Sequence, residues 1–193
     1  MSYLEKLLDG VEVEWKPLEK LIISLKTGLN PRKNFQLNTI DATGYYITVR
    51  EIINGNIVFL NETDKINHKA LRLINNRSNL ESGDILFSGT GTVGKIAVIK
   101  KSPQNWNIKE GVYVLKPNKT ILNSKFLSYL LSSENIVKAY RKKIVGSPVC
   151  SLPMRELKKL LIPIPCPNNP EKSLAIQQKI VGILDTFSEL TAE

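Results

Sequence analysis

The chain is short of the residues that build metal centres and covalent staples. Its 193 residues include two cysteines, Cys150 and Cys166, and one histidine, His68. The cysteines stand far apart with no histidine beside them, so a Cys/His zinc site within the chain is excluded and a structural disulfide is not expected. No apolar run approaches the length of a membrane span, and the opening MSYLEKLLDG has no signal core, so the expected setting is cytoplasmic. Acidic residues are few: 18 Asp plus Glu against 27 Lys plus Arg, a formal charge of +9 at pH 7. They are also scattered. Asp41, Glu51, Glu62, Asp64, Glu81 and Asp84 fall on separate strands and turns and do not form the carboxylate cluster of a magnesium nuclease. Asn30-Pro31-Arg32 and Asn169-Pro170-Glu171 both depart, after the proline, from the Asn/Asp-Pro-Pro-aromatic tetrad of a DNA methyltransferase, and no motif pairs His68 with a nucleophile. No catalytic constellation survives, and the chain is not expected to be an enzyme.

What is present is a foldable, basic chain. A hydrophobic content of 42% suffices for a core. A positive excess of this size favours polyanionic partners, nucleic acid above all, because each neutralised phosphate releases condensed counterions.

Residues 2–9 place Leu4, Leu7 and Leu8 at helical spacing before a stop at Gly10, and residues 11–15 alternate as a strand or extended arm. Residues 18–25 fit a short helix. Residues 26–38, with Gly28, Pro31, Arg32 and Lys33 and no apolar period, read as an exposed basic loop. Short strands are expected at 45–49, 57–60, 85–88, 93–100 and 112–115, punctuated by Asn54-Gly55-Asn56, Gly83-Asp84, a glycine-rich turn and Pro117-Asn118. Short strands without βαβ alternation predict a compact mixed α+β domain. Ser124 is placed to cap a helix reaching about residue 143, with Leu127, Leu130, Leu131, Val137 and Tyr140 inward and Lys138, Arg141, Lys142 and Lys143 in its last turns. A short helix at 152–159 and an extended LLIPIP segment, barred from a central strand position by Pro163 and Pro165, end the domain.

The last segment has the cleanest pattern. Asn169 caps, Pro170 takes the first helical position and Glu171 sits in the first turn. Ile176, Ile180, Ile183, Phe187 and Leu190 then follow spacings of four and three, a heptad seam suited to pairing with another helix. The expected organisation is an N-terminal arm at 1–14, the mixed α+β domain at 15–167 and a long coiled-coil-type helix at 168–193.

GTGTVGK, residues 89–95, satisfies both G-x-G-x-x-G and most of a phosphate-binding G-x-x-x-x-G-K loop. Both motifs need the glycines to open a helix. The residues that follow, Ile96 to Ile99, suit a strand, and Ile96 stands where a magnesium-binding Ser or Thr belongs. A tight turn between strands is the better reading. The candidate DNA contacts are softer but more numerous. Lys26, Asn30, Arg32 and Lys33 share one stretch with Asn34 and Gln36, offering phosphate and base-edge partners. Ser88, Thr90, Thr92 and Lys95 ring the glycine turn. Tyr46, Thr48 and Arg50 follow one strand with Tyr45, so only alternate members can face one way. A protein-interaction module that uses the heptad helix, with incidental basicity, is the alternative.

VEWKPLEKLI, GDILFSGTGTVGKIAVI, GSPVCSLPMRELKKLLIPIPCP and QQKIVGILDTFSELTAE resemble, in order, the specificity subunit of type I restriction–modification systems. The opening MSYLEKLLDG, NPEKSLAIQ and the final LTAE look like its IC subgroup. The resemblance implies a target-recognition domain reading one half of a split double-stranded DNA site, followed by a conserved spacer helix. It implies no cofactor on this chain. S-adenosylmethionine would sit on partner methyltransferase subunits, and ATP and magnesium on a restriction subunit that joins through the complex. Family members usually carry two such domains and two helices, so the chain is expected to be a half-subunit or a fragment. A half-subunit pairing with a second copy of itself would read a symmetric, interrupted target.

Overall fold

The computed structural model describes residues 10–32 and 34–190, the last three by backbone alone. The helix expected at 2–9 lies outside the described residues, as do Lys33, the side chain of Leu190 and residues 191–193.

The core is built on an antiparallel sheet in the order β2 (Ile22–Thr27), β10 (Val112–Pro117), β7 (Ile85–Ser88), β8 (Ile96–Val98). Val112, Tyr113, Val114 and Leu115 are all buried, because the period of two sends alternate residues into two different apolar layers. Tyr113 and Leu115 join Ile85, Phe87 and Ile96 beneath a helical layer. Val112 and Val114 join Leu86, Ala97 and Ile99 against a second sheet.

That second sheet has the order β6 (Lys65–Ile66), β3 (Gly44–Ile47), β9 (Trp106–Ile108), with β3 parallel to β9 and antiparallel to β6. Alternation repeats here. Ile47 and Ile108 pack toward the larger sheet, whereas Tyr46 and Ile66 pack against Ala70, Leu71 and Ile74 of α1 (His68–Arg77). The domain thus stacks helices, four strands, three strands and a single helix. A hairpin of β4 (Ile52–Ile53) and β5 (Asn56–Ile57) turns on Asn54-Gly55, whose φ values of 46° and 76° suit a two-residue loop. Helix α1 is absent from the sequence-based expectations. Its cap is Asn67, whose Oδ1 accepts the Ala70 amide at 3.0 Å.

Two expected helices are corrected. In residues 18–25, only Leu18–Lys20 forms a 3₁₀ turn, and the chain then becomes β2. The β-branched pair Ile22-Ile23 and the ladder to β10 outweigh weak helical spacing. The helix expected to run to residue 143 is two: α2 (Ser124–Ser132) and α3 (Glu134–Arg141). Ser133 breaks it, with an extended backbone (ψ 146°) and a hydroxyl donating to Leu130 O at 2.6 Å. The cap is Asn123, not Ser124: its Oδ1 accepts the amides of Lys125 and Phe126.

β1 (Val13–Pro17) pairs with β11 (Leu161–Pro165) in a two-stranded ribbon, an edge setting that tolerates Pro163 and Pro165. A short α4 (Met154–Lys158) precedes it. α5 (Pro170–Leu190) follows, with Asn169 Oδ1 accepting the Lys172 amide at 3.0 Å. Ser173, Ile176, Gln177 and Val181 of α5 are buried within the chain, and Ile180 packs on the main core. The expected seam is therefore divided: Ile176 and Ile180 serve their own domain, Ile183 is half-buried and Phe187 is 61% exposed. No helix among the described residues is long and apolar enough to cross a membrane.

Candidate nucleic-acid interface

Antiparallel pairing brings three chain segments to one end of the larger sheet. Thr27 at the end of β2 lies opposite Tyr113, Val112 at the start of β10 lies opposite Ser88, and Phe87 lies opposite Ile96. Residues 28–32, 89–95 and 109–111 leave from that end. Thr27 Oγ1 accepts the Gly111 amide at 3.0 Å, and Leu29 bridges to Lys109. Gly111 O accepts the amides of Gly89 and Thr90 at 2.8 and 3.1 Å. A further segment, 145–151, is tied on through Gly91 N–H to Cys150 O (2.8 Å), Leu152 N–H to Gly89 O (2.8 Å) and the Thr90–Ser151 hydroxyl pair (3.2 Å). Segments 26–32, 89–95, 109–111 and 145–151 contain Lys26, Arg32, Lys95 and Lys109 against Glu110 alone, and Arg141, Lys142 and Lys143 immediately precede the last of them. The rim is strongly positive.

The glycine turn is structural. A Cβ at Gly89 would lie within the ring of Tyr113, and one at Gly94, where φ is 95°, would collide with the Tyr140 hydroxyl. Five of its amides are already committed: Gly89 and Thr90 to Gly111 O, Gly91 to Cys150 O, Gly94 to Ser88 O and Lys95 to Ser88 Oγ. The Lys95 ammonium donates to Val49 O at 3.1 Å. With five of seven amides and the lysine bonded inside the protein, the turn does not form a phosphate cradle, and the resemblance to a nucleotide loop ends with its spelling.

Several candidate contacts prove to be internal. Tyr46 is buried, with its hydroxyl donating to Leu29 O at 2.6 Å, and burial pushes its phenol well above the ordinary range. Thr48 is buried and caps a 3₁₀ turn. Its amide and hydroxyl both bond Glu51 Oε2, while its Oγ1 accepts the Arg50 amide. Arg50 reaches Asp64 at 3.2 Å and Glu51 at 3.7 Å, so its charge is largely balanced. Ser88 is fully buried between Thr92 O and the Lys95 amide. Tyr46, Thr48 and Ser88 are corrected to core positions, while Arg50 and Lys95 are partly exposed and bonded to internal partners. Lys26, Asn30, Arg32, Thr90 and Thr92 remain exposed or half-buried, although Lys26 lies on β2 and not in the loop. Lys109 and the 145–151 segment belong to the same rim and were not foreseen. Lys109 had no motif around it, and pairing across β10 is invisible in one-dimensional spacing.

Buried charge lies elsewhere. Asp84 is 1% exposed and takes Lys116 Nζ at 3.0 and 3.1 Å. Burial still pushes its carboxyl above the usual range, against the Glu81 amide and Lys116. Glu81, bonded to Lys116 from the surface, is held below that range. Among the described residues, no group of three or more His, Cys, Asp or Glu could hold a metal ion.

Comparison with known proteins gives a consistent result. Residues 13–193 match the family described as the type I restriction modification DNA specificity domain. The chain is 38% identical over 194 residues to the type I restriction enzyme EcoprrI specificity subunit of Escherichia coli, which covers all of this chain and 47% of that protein. It is 34% identical over 199 residues to the EcoR124I/EcoR124II specificity subunit of the same organism, covering 42% of that protein. The chain thus spans less than half the length of these relatives. Among solved structures, the S subunit of the type I system from M. genitalium superposes with a TM-score of 0.62 at 19% identity, over 98% of this chain and 42% of that one. The HsdS subunit from Thermoanaerobacter tengcongensis gives 0.63 at 19% identity, over 93% and 43%.

Proposed function

The chain belongs to the type I restriction modification DNA specificity domain family, and from that premise we propose that it binds double-stranded DNA by sequence and does no chemistry itself. The observation that carries the reading is the loop-built rim, where Lys26, Arg32 and Lys109 stand against Glu110 alone in segments drawn together by the sheet ends, with Arg141, Lys142 and Lys143 just before segment 145–151. Such a surface supplies phosphate contacts, which fix orientation on the duplex but read no sequence.

In this account residues 15–167 form the unit that reads one half of a bipartite target. Residues 168–193 would act as a spacer, of which helix α5, with 21 residues, is about 32 Å long at the helical rise, close to one turn of DNA. Ile183, Phe187 and Leu190 are the seam positions that would pair with a second helix, from a longer chain or from a second copy. Methyltransferase subunits carrying S-adenosylmethionine would dock on this unit, and a restriction subunit using ATP and magnesium would join through the complex. No cofactor is assigned to this chain.

The test is fluorescence anisotropy of a random-sequence duplex across a salt series. Affinity should fall steeply with salt, with a log–log slope of roughly −0.9 per phosphate contacted. Binding that is absent, or indifferent to salt, would remove the proposal.

A further inference from the structure

Helix α1 was drawn into no motif, yet its outward face has an unusual composition. Its sequence HKALRLINNR contains no acidic residue. Ala70, Leu71 and Ile74 point into the protein. Lys69, Arg72, Leu73 and Asn76 recur at i, i+3, i+4 and i+7 on the opposite side, and all four are exposed. An ordinary solvated helix face mixes charges of both signs, with opposite pairs one turn apart. This face instead combines two cations, an amide and a leucine that is 39% exposed. Among the described residues no ion pair engages Lys69 or Arg72. The nearby carboxylates are spoken for: Asp41 accepts from Asn67 at the helix start, and Asp64 takes Arg50 and Asn38.

The helix is also held rigidly. Asn107, fully buried in β9, donates to Asn75 Oδ1 at 2.7 Å and to Ser78 O at 2.9 Å, and its own Oδ1 accepts the Ser78 hydroxyl at 3.2 Å. The basic loop runs back over the same layer. Leu29, Phe35 and Leu37 pack on Tyr46, Ile66, Ala70, Leu71 and Ile74, with Phe35 edge-on to Tyr46 at 5.7 Å. Arg32 and its neighbours are thereby coupled to α1 by packing.

We propose that the outward stripe of α1 enters the major groove and reads base edges, with Arg72 directed to guanine, Asn76 to adenine and Leu73 to a thymine methyl, while Lys69 contacts phosphate. The chemistry matches residue by residue. A guanidinium fits guanine O6 and N7, a carboxamide fits adenine N6 and N7, and an apolar side chain fits the methyl. A ten-residue helix is about 15 Å long, enough to lie along roughly four base pairs of a groove that admits one helix. The assignment rests on the DNA-binding reading and sharpens it, because it separates the element that reads sequence from the rim that holds phosphates.

The experiment selects preferred duplexes from a random library with the full chain. It then measures binding of Arg72→Ala, Arg72→Lys, Leu73→Ala, Asn76→Ala and Lys69→Ala to the selected and random duplexes. Thermal unfolding, expected to be unchanged at these exposed sites, confirms folding. Arg72→Ala and Asn76→Ala should each lose preference at one base position by roughly tenfold, while binding of random duplex stays within about twofold for Asn76→Ala. Arg72→Lys keeps the charge but not the fork, and should keep the salt slope while losing the guanine preference. Lys69→Ala should lower the slope by about one contact and leave the preference intact. Unaltered preferences in the Arg72, Leu73 and Asn76 variants overturn the assignment to α1 and leave the DNA reading standing. No duplex binding by the unaltered chain overturns both.

Discussion

The attachment of α5 to the domain turns on one buried amide, Gln177. Its Oε1 accepts the Asn123 amide at 2.8 Å, and its Nε2 donates to Ile121 O at 3.0 Å and to Ser173 Oγ at 3.0 Å. Gln177 is fully buried and every one of these bonds is internal. Gln177→Met preserves length and approximate volume while removing them all. The Asn123 N–H and the Ile121 carbonyl are then left without partners, each at about 1–3 kcal/mol, and the better transfer of a thioether recovers about 1. The expected net loss is about 1–5 kcal/mol. The damage should be local as well, since Asn123 also caps α2. Urea unfolding measures the total, and amide hydrogen exchange at Asn123 reports its location. As a control, Gln178→Ala removes only an exposed bond from Asn123 Nδ2 and should stay within about 0.5 kcal/mol. If Gln177→Met costs less than about 0.5 kcal/mol and leaves Asn123 protected, this account of the helix anchor is wrong.

Other outcomes follow from the same geometry. Gly89→Ala should displace Tyr113 and break its bond to Leu152 O, costing about 3 kcal/mol and lowering the thermal midpoint by about 6–12 °C; an unchanged midpoint would show that the turn can move aside. Arg32→Ala and Lys109→Ala should each flatten the salt slope of DNA binding by about one contact, and an unchanged slope would place that residue off the duplex. Lys95→Met should instead leave the slope alone and destabilise by about 1 kcal/mol, because its ammonium is spent on Val49 O. For Asp185, burial pushes the carboxyl up, but the bonds from Lys125 and Tyr129 and the Lys125 charge prevail and hold it below its ordinary 3.8. A depressed carboxyl stabilises above its unfolded value and loses that contribution as pH falls through its folded one. Asp185→Asn should therefore cost about 0.5 kcal/mol at pH 7, a difference that shrinks as pH falls below 3.8 through the depressed folded value, and a pH-independent difference measured by urea unfolding would rule out the ion pair as its source.

How much of this was legible depended on whether the signal was local. The Asn169-Pro170 cap and the glycine turn are decided within a few residues: the carboxamide bonds one turn ahead, and β-branched Ile96, Val98 and Ile99 refuse a helix. The choice of surface residues failed for a different reason. Alternation tells which residues share a face, but the four- and three-stranded sheets are packed on both faces, so Tyr46 and Ser88 point away from their strand neighbours and are still buried. Helix α1 offers Ala70, Leu71 and Ile74 on one face and Leu73 on the other in ten residues, too little period to separate it from a polar loop. In the last helix, spacing alone could not divide the apolar positions between Ile176, taken by this domain, and Phe187, which lies at the surface.

The central claim is that this chain selects DNA by sequence. It is tested most directly by sequencing the duplexes that the purified chain retains from a random library at physiological salt. The account predicts a short enriched motif, specific to a few contiguous base pairs and lost when the motif is scrambled. Retention with no enriched motif would contradict it, leaving a basic surface that holds DNA without reading it.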